Sequence, residues 1–247
     1  PVLGVDWNDS MHQQVLREWF PRWMPAWDYP ELLDEEAAPG RYYVRNSQFS
    51  WLDARTLYVF LRQFAPRRMI EVGSGYSSLL AADVGARFLG GTLDFTCIEP
   101  YPRPFLKAGV AGVSRLIEER VERIGLEEFQ ALGAGDFLFI DSSHVAKTGS
   151  DVNHLVFEVL PRLAPGVIVH IHDIHLPYEY PPDWVLEENR SWNEQYVVRA
   201  LLMYSTAFRV LFGCARAWHQ HRPDVTTALA HPRGATYGGG SLWIERI

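Results

Sequence analysis

The sequence predicts a three-layer α/β fold built on a mostly parallel sheet, and three observations carry that expectation. Apolar runs of strand length at 68–73, 93–98, 136–140 and 167–172 alternate with helical patterns at 76–84, 102–109, 126–132 and 150–163. Those runs are apolar almost throughout, as in strands covered on both faces. Finally, Met69-Ile70-Glu71-Val72-Gly73-Ser74-Gly75 breaks from a strand into a helix through two glycines flanking a serine. Such a turn exposes backbone N–H groups at the helix N-terminus and lets a ligand approach the main chain closely.

The elements follow in order. Residues 1–49 read as an irregular, aromatic extension. Ser10 is placed to cap a short helix in which Val15, Leu16, Trp19 and Phe20 share a face, and Pro21, Pro25, Pro30 and Pro39 are expected to prevent any long element. Ser50-Trp51-Leu52-Asp53 resembles a helix-opening box, and Leu57, Phe60, Leu61 and Phe64 keep helical spacing until Pro66. Strand 68–73 begins the alternation. A weaker strand is expected at 115–121. Helix 150–163 carries Val152, Leu155, Val156, Val159 and Leu160 inward, and Pro165-Gly166 turns into the next strand. Ser191-Trp192-Asn193-Glu194 reads as a full capping box opening a further helix. Runs 207–212 and 241–247, the second preceded by Gly238-Gly239-Gly240, have no helix read between them and are expected to pair antiparallel at the sheet edge. One domain at 50–247 with the extension packed on it is the expected organisation.

Composition narrows the function classes. The net charge is −7 and no basic stripe is present, which argues against a nucleic-acid partner. No apolar run reaches membrane-spanning length, so no membrane partner is expected. Cys97 and Cys214 each sit in an apolar run read as a strand, and two buried thiols without a spaced framework predict a reduced, cytoplasmic protein. The N-terminus lacks a signal-peptide pattern, although a start at Pro1 leaves room for processing or trimming. The aromatic extension is a candidate contact for a homo-oligomer.

The layout resembles the class I S-adenosylmethionine-dependent methyltransferases over roughly residues 50–247: a Rossmann-like sheet of seven strands whose last two form an antiparallel hairpin. Glu71-Val72-Gly73-Ser74-Gly75 looks like that family's first motif, Glu99 matches the acid that binds the ribose hydroxyls, and Phe139-Ile140-Asp141-Ser142-Ser143-His144 looks like the motif beside the adenine and the reactive centre. Pro165-Gly166-Val167-Ile168-Val169 is also typical, and Ile140-Asp141-Ser142-Ser143-His144 with His172-Asp173-Ile174 resembles the small-molecule O-methyltransferase-like subgroup. The resemblance implies S-adenosylmethionine as cofactor and a small-molecule acceptor. Glu71, Gly73, Ser74, Gly75, Ser77 and Ser78 would surround the methionine moiety, Glu99 the ribose, and Asp141 and Ser142 the adenine side. Independently, a carboxylate at a strand's C-terminal end is well suited to accept both hydrogen bonds of a vicinal diol. A nicotinamide enzyme would prefer a third glycine where Ser78 stands.

Methyl transfer needs alignment, exclusion of water and, for a hydroxyl acceptor, removal of a proton. His144, His172 and Asp173 are the candidates for activating the acceptor, with either imidazole as general base. A second reading makes Asp141, His172 and Asp173 ligands of a divalent metal, although the family's metal sites carry Asp and Asn after the fifth strand rather than His172-Asp173. His170 reads as a core residue. The aromatic segment 176–184 has no periodicity and is a candidate lid, enclosing the acceptor together with Arg41, Tyr42, Tyr43, Asn46 and Phe49. The rival functions on this scaffold are a nicotinamide-dependent oxidoreductase and a metal-dependent oxidative enzyme.

Overall fold

The computed structural model describes residues 2–34, 38, 40–229 and 239–247, so Pro1, Pro39 and Gly238 lie outside the described residues. The seven expected strands form one sheet: β1 (Arg68–Val72), β2 (Asp94–Ile98), β3 (Arg115–Ile117), β4 (Phe137–Ile140), β5 (Ile168–Ile171), β6 (Phe208–Gly213) and β7 (Leu242–Arg246). Their order is β3-β2-β1-β4-β5-β7-β6. The first five are parallel, and β7 runs antiparallel to both β5 and β6. The chain leaves β1 toward β3 on one side and returns to β4 on the other. The switch point therefore lies between β1 and β4, where open α/β sheets form their ligand crevice.

Alternation along each strand builds two cores. Met69, Phe95, Phe137, Phe139, Phe212 and Trp243 face the helices Trp51–Phe64 and Tyr76–Phe88 and the N-terminal segment. Ile70, Val72, Ile98, Leu138, Ile140, Val169 and Ile171 face the helical stretch 151–162 and helix Glu194–Leu202. Both faces of the parallel strands are thus covered, as their unbroken apolar character implies.

Several local expectations are corrected. Helical structure runs without interruption through 9–26 despite Pro21 and Pro25, because a π-turn at Val15–Trp19 and a 3-10 turn at Met24–Ala26 absorb the missing donors. Asn8, not Ser10, precedes that helix, and Ser10 lies inside its first turn. Two helices, Cys214–Gln220 and Arg222–Leu229, separate β6 from β7, yet the strands still pair antiparallel. Cys214 is the first residue of a helix rather than part of a strand; Gly213 ends the ladder there. Neither expected capping box forms. Ser50 precedes its helix without a side-chain cap, while Asp53 holds the Gly240 and Ser241 N–H groups; the second helix starts only at Glu194, so Ser191 is not at its cap, and Asn193 Oδ1 accepts from the Ala146 N–H instead.

Candidate active site

The glycine turn after β1 is held from below. Glu71 is fully buried at the middle of the sheet. Ser77 Oγ donates to its Oε1 at 2.6 Å and Ser78 Oγ to its Oε2, while the Gly75 N–H donates to Ser78 Oγ at 3.0 Å. Glu71 and Ser78 therefore brace the turn rather than line the cleft above it. Burial pushes the Glu71 carboxyl up to about 7, although the two serines work in the opposite sense. A carboxyl raised in this way contributes stability below its ordinary value near 4.5 and loses that contribution as pH climbs through 7. Glu71→Gln should accordingly flatten the fall in melting stability between pH 5 and pH 8, by on the order of 3 kcal/mol. Thermal melts of both proteins across that range are the check; parallel curves would mean that the carboxyl ionises freely.

The two glycines answer to different constraints. Gly73 has φ +79°, and a Cβ there would sit 1.8 Å from the Asp141 carbonyl oxygen, because the Asp141 N–H already donates to Val72 O and locks β4 against the turn. Gly75 faces open space: nothing lies within 4 Å of where its Cβ would be. Glu99, one residue past β2, reaches across to this turn. Its Oε2 accepts from the Ser74 N–H at 3.1 Å and its Oε1 from the Tyr101 N–H at 2.8 Å. Gly73, Ser74, Gly75, Ser77, Glu99, Asp141, Ser142, His144, His172 and Asp173 all line one cavity of about 490 Å³ over the strand ends. Arg103, Arg190, Trp184 and Trp192 complete its wall.

His144 and Asp173 follow β4 and β5, and both take positive φ (60° and 54°), a conformation that costs a non-glycine residue free energy. His144 Nδ1 lies 2.9 Å from Glu194 Oε2, and its Nε2 lies 3.3 Å from Asp141 Oδ1 and 3.6 Å from Asp173 Oδ2. Burial by itself would lower this imidazole, but Asp141 and Glu194 outweigh it and raise it to about 10. Burial would raise Asp141, and His172 and His144 hold it below its ordinary value instead. His144 is thus a buried imidazolium among carboxylates and is poorly suited to accept a proton at neutral pH.

The positive charge that would satisfy Asp141 and Asp173 is already supplied by the His144 ring between them. Among the described residues no three His, Cys, Asp or Glu side chains are arranged to hold a metal ion. In this structure Asp141 and Asp173 both face the His144 ring, and His172 lies beside Asp173.

His172 differs from His144. It is buried, its Nε2 is 3.6 Å from Asp173 Oδ1, and its Nδ1 has no hydrogen-bond partner. Burial opposes its charge, but Asp173, Asp141 and Asp53 raise it. It lines the 490 Å³ cavity and also an adjoining one of about 660 Å³, and Ser47, Gln48, Asp173 and Trp184 are shared in the same way. The second cavity is walled by Trp51, Trp184 and Trp218, with Arg45 and His219 also facing it. His175, whose Nε2 is buried without a partner, lies beside Gly240. Asp53 anchors that wall by accepting from the Gly240 and Ser241 N–H groups at 3.1 and 2.8 Å. His170 is fully buried and stacks on Phe139 at 3.7 Å.

Of the expected lid, Pro181, Asp183 and Trp184 reach the cavities, as do Asn46 and Phe49. Arg41, Tyr42 and Tyr43 line neither of the two cavities; Tyr42 is buried, and its hydroxyl donates to Phe49 O. Glu194 and Trp218 escaped the sequence reading. The first looked like a helix cap, and the second stands on a helix not foreseen after β6.

Residues 70–174, which span β1 to β5, match the family model described as a methyltransferase domain. An uncharacterized protein of Archaeoglobus fulgidus is 35% identical over 133 residues, covering 53% of this chain and 59% of that protein. The chain thus spans about three fifths of that curated relative's length. Among solved structures, the O-methyltransferase TomG from Streptomyces achromogenes, in complex with SAM, shares 15% identity with a TM-score of 0.46 over 98% of this chain and 91% of that one. The O-methyltransferase from Bacillus cereus, in complex with SAH, shares 14% identity with a TM-score of 0.44 over 97% and 92%.

Proposed function

We propose that the protein, whose residues 70–174 match a methyltransferase-domain model and whose seven strands form one mostly parallel sheet, is an S-adenosylmethionine-dependent methyltransferase acting on an oxygen of a small molecule. The observation that carries the reading is the Ser74 N–H to Glu99 hydrogen bond, which sets the glycine turn and a strand-end carboxylate on one cavity. When bound, the cofactor supplies an electrophilic methyl on a sulfonium. Glu99 would hold the ribose hydroxyls through its remaining lone pairs, the start of helix Tyr76–Phe88 would receive the methionine carboxylate, and Asp141 and Ser142 would flank the adenine side. Ser77 borders the methionine end, with Glu71 and Ser78 supporting it from beneath.

The acceptor occupies the adjoining cavity, and its hydroxyl proton passes to His172 at the shared wall. Asp173 steadies the imidazolium so formed. His144 acts as a fixed cation that keeps Asp141 and Asp173 in place beside the reacting atoms. In this reading residues 50–247 are the catalytic unit, and the extension at 1–49 contributes Asn46, Ser47 and Gln48 to the acceptor wall. A nicotinamide cofactor is disfavoured at Ser78, whose hydroxyl is committed to Glu71 and the Gly75 N–H where that fold would need a glycine.

Calorimetric titration of S-adenosylmethionine tests the reading. Glu99→Ala removes charge-assisted bonds to the ribose and the anchor of Ser74, so affinity should fall about 100-fold. Wild-type affinity in that variant, or tighter binding of reduced nicotinamide by the native chain, would remove the assignment.

A further inference from the structure

We propose that a third cavity, sharing no lining residue with the two above, binds an organic monocarboxylate with an apolar body through Arg55. The cavity has a volume of about 700 Å³, within the range of small-molecule sites. Leu16, Phe20, Met24, Trp27, Val44 and Leu229 make its wall largely apolar.

Arg55 is the feature that needs a ligand. It is only 4% exposed, yet among the described residues it forms no ion pair. Its Nε is buried without a partner, and its Nη1 has only a long bond to Trp51 O at 3.4 Å. Of the buried, unpartnered polar atoms among the described residues, this Nε is the one that belongs to the cavity lining. The guanidinium stacks over Trp27 at 5.0 Å and Trp51 at 5.7 Å, which offsets some lost hydration but spends few of its donors. A buried cation with no ion pair among the described residues is costly, and a carboxylate meeting the fork would relieve that cost.

The wall chemistry selects a single negative charge. Asp224 also faces the cavity but is held by Arg17 at 2.9 Å, and Glu31 attracts Arg55 from the same wall. Both carboxylates would repel a multiply charged anion. One carboxylate on a hydrocarbon or aromatic body satisfies guanidinium and apolar wall together. The same helix links this cavity to the catalytic cleft: Trp51 and Asp53 line the acceptor cavity, and Arg55 lines this one.

Calorimetric titration of the full chain with decanoate, below its micelle threshold, tests the site, with decanol as the neutral control. Decanoate should bind with a stoichiometry of about one and decanol at least about tenfold more weakly, the share expected of a charge-assisted pair. Arg55→Met, which keeps bulk and removes charge, should weaken decanoate by at least about tenfold. Thr227→Trp, at the exposed rim, should block decanoate without touching Arg55, and so decides the matter if Arg55→Met fails to fold. Absence of decanoate binding, equal binding of decanol, or undiminished binding in Thr227→Trp would overturn the assignment. Neither readout depends on methyl transfer.

Discussion

Gly73→Ala should cost the protein its cofactor and much of its stability. The added methyl would have to occupy space 1.8 Å from the Asp141 carbonyl oxygen and 2.8 Å from its carbon, both backbone atoms. A flexible side chain could swing aside, but β4 cannot, since the Asp141 N–H is already bonded to β1 and the His172 N–H to Ile140 O. The left-handed backbone at Gly73 adds about 1 kcal/mol for any residue with a Cβ. We expect a loss of more than about 3 kcal/mol in stability, the range reserved for substitutions that force the main chain apart. Affinity for S-adenosylmethionine should fall beyond calorimetric detection. Gly75→Ala is the informative contrast. With open space around its Cβ, it should melt near the wild type and still weaken the cofactor, because the methyl projects into the cleft. If both variants melt alike, the close approach between β1 and β4 is not what fixes this position.

His172→Asn should lower kcat by about 10²- to 10⁴-fold, the span general bases contribute, while leaving cofactor affinity within a few fold. Asparagine retains a hydrogen-bonding group at the shared wall but cannot carry the proton. Single-turnover kinetics separate this from a binding defect. The partner experiment is His144→Asn, for which the two imidazoles predict different outcomes. His144 is clasped by Asp141, Asp173 and Glu194, so its loss should appear chiefly as destabilisation from unpaired buried carboxylates. A His172→Asn enzyme within a few fold of wild-type kcat would return the base role to another group.

The sequence carried the sheet and its ligand-bearing edge, because those depend on local signals. Unbroken apolar runs specify strands buried on both faces, and Gly73, Glu99 and Asp141 announce themselves as polar or glycine residues ending such runs. What it could not carry are contacts made across long separations. Glu194 obeys the spacing of a helix cap, and only the folded chain shows its carboxylate turned to His144, fifty residues earlier. Asp53 is the same case: its position fits a helix-opening box, but its oxygens hold the Gly240 and Ser241 N–H groups. The run through Gly213 and Cys214 looks like one strand because apolar composition alone does not reveal where pairing stops and a helix begins. Pro21 misled in the opposite direction, since a π-turn is a tertiary accommodation with no sequence signature of its own.

The placement of β7 between β5 and β6 has a consequence for how the molecule is made. Synthesis delivers β6 before β7, and among the described residues β7 is its one ladder partner, so until the later strand has left the ribosome β6 has only the bonds from Asn8 and His12 of the N-terminal segment. Until then β5 also presents a bare edge to the cell, open to pairing with a foreign strand. Helices Cys214–Gln220 and Arg222–Leu229 lie between the two strands in the chain. The wall that carries Trp218 and Gly240 is then finished only when this last ladder closes, so the cavity beside His172 is not complete before the sheet is whole.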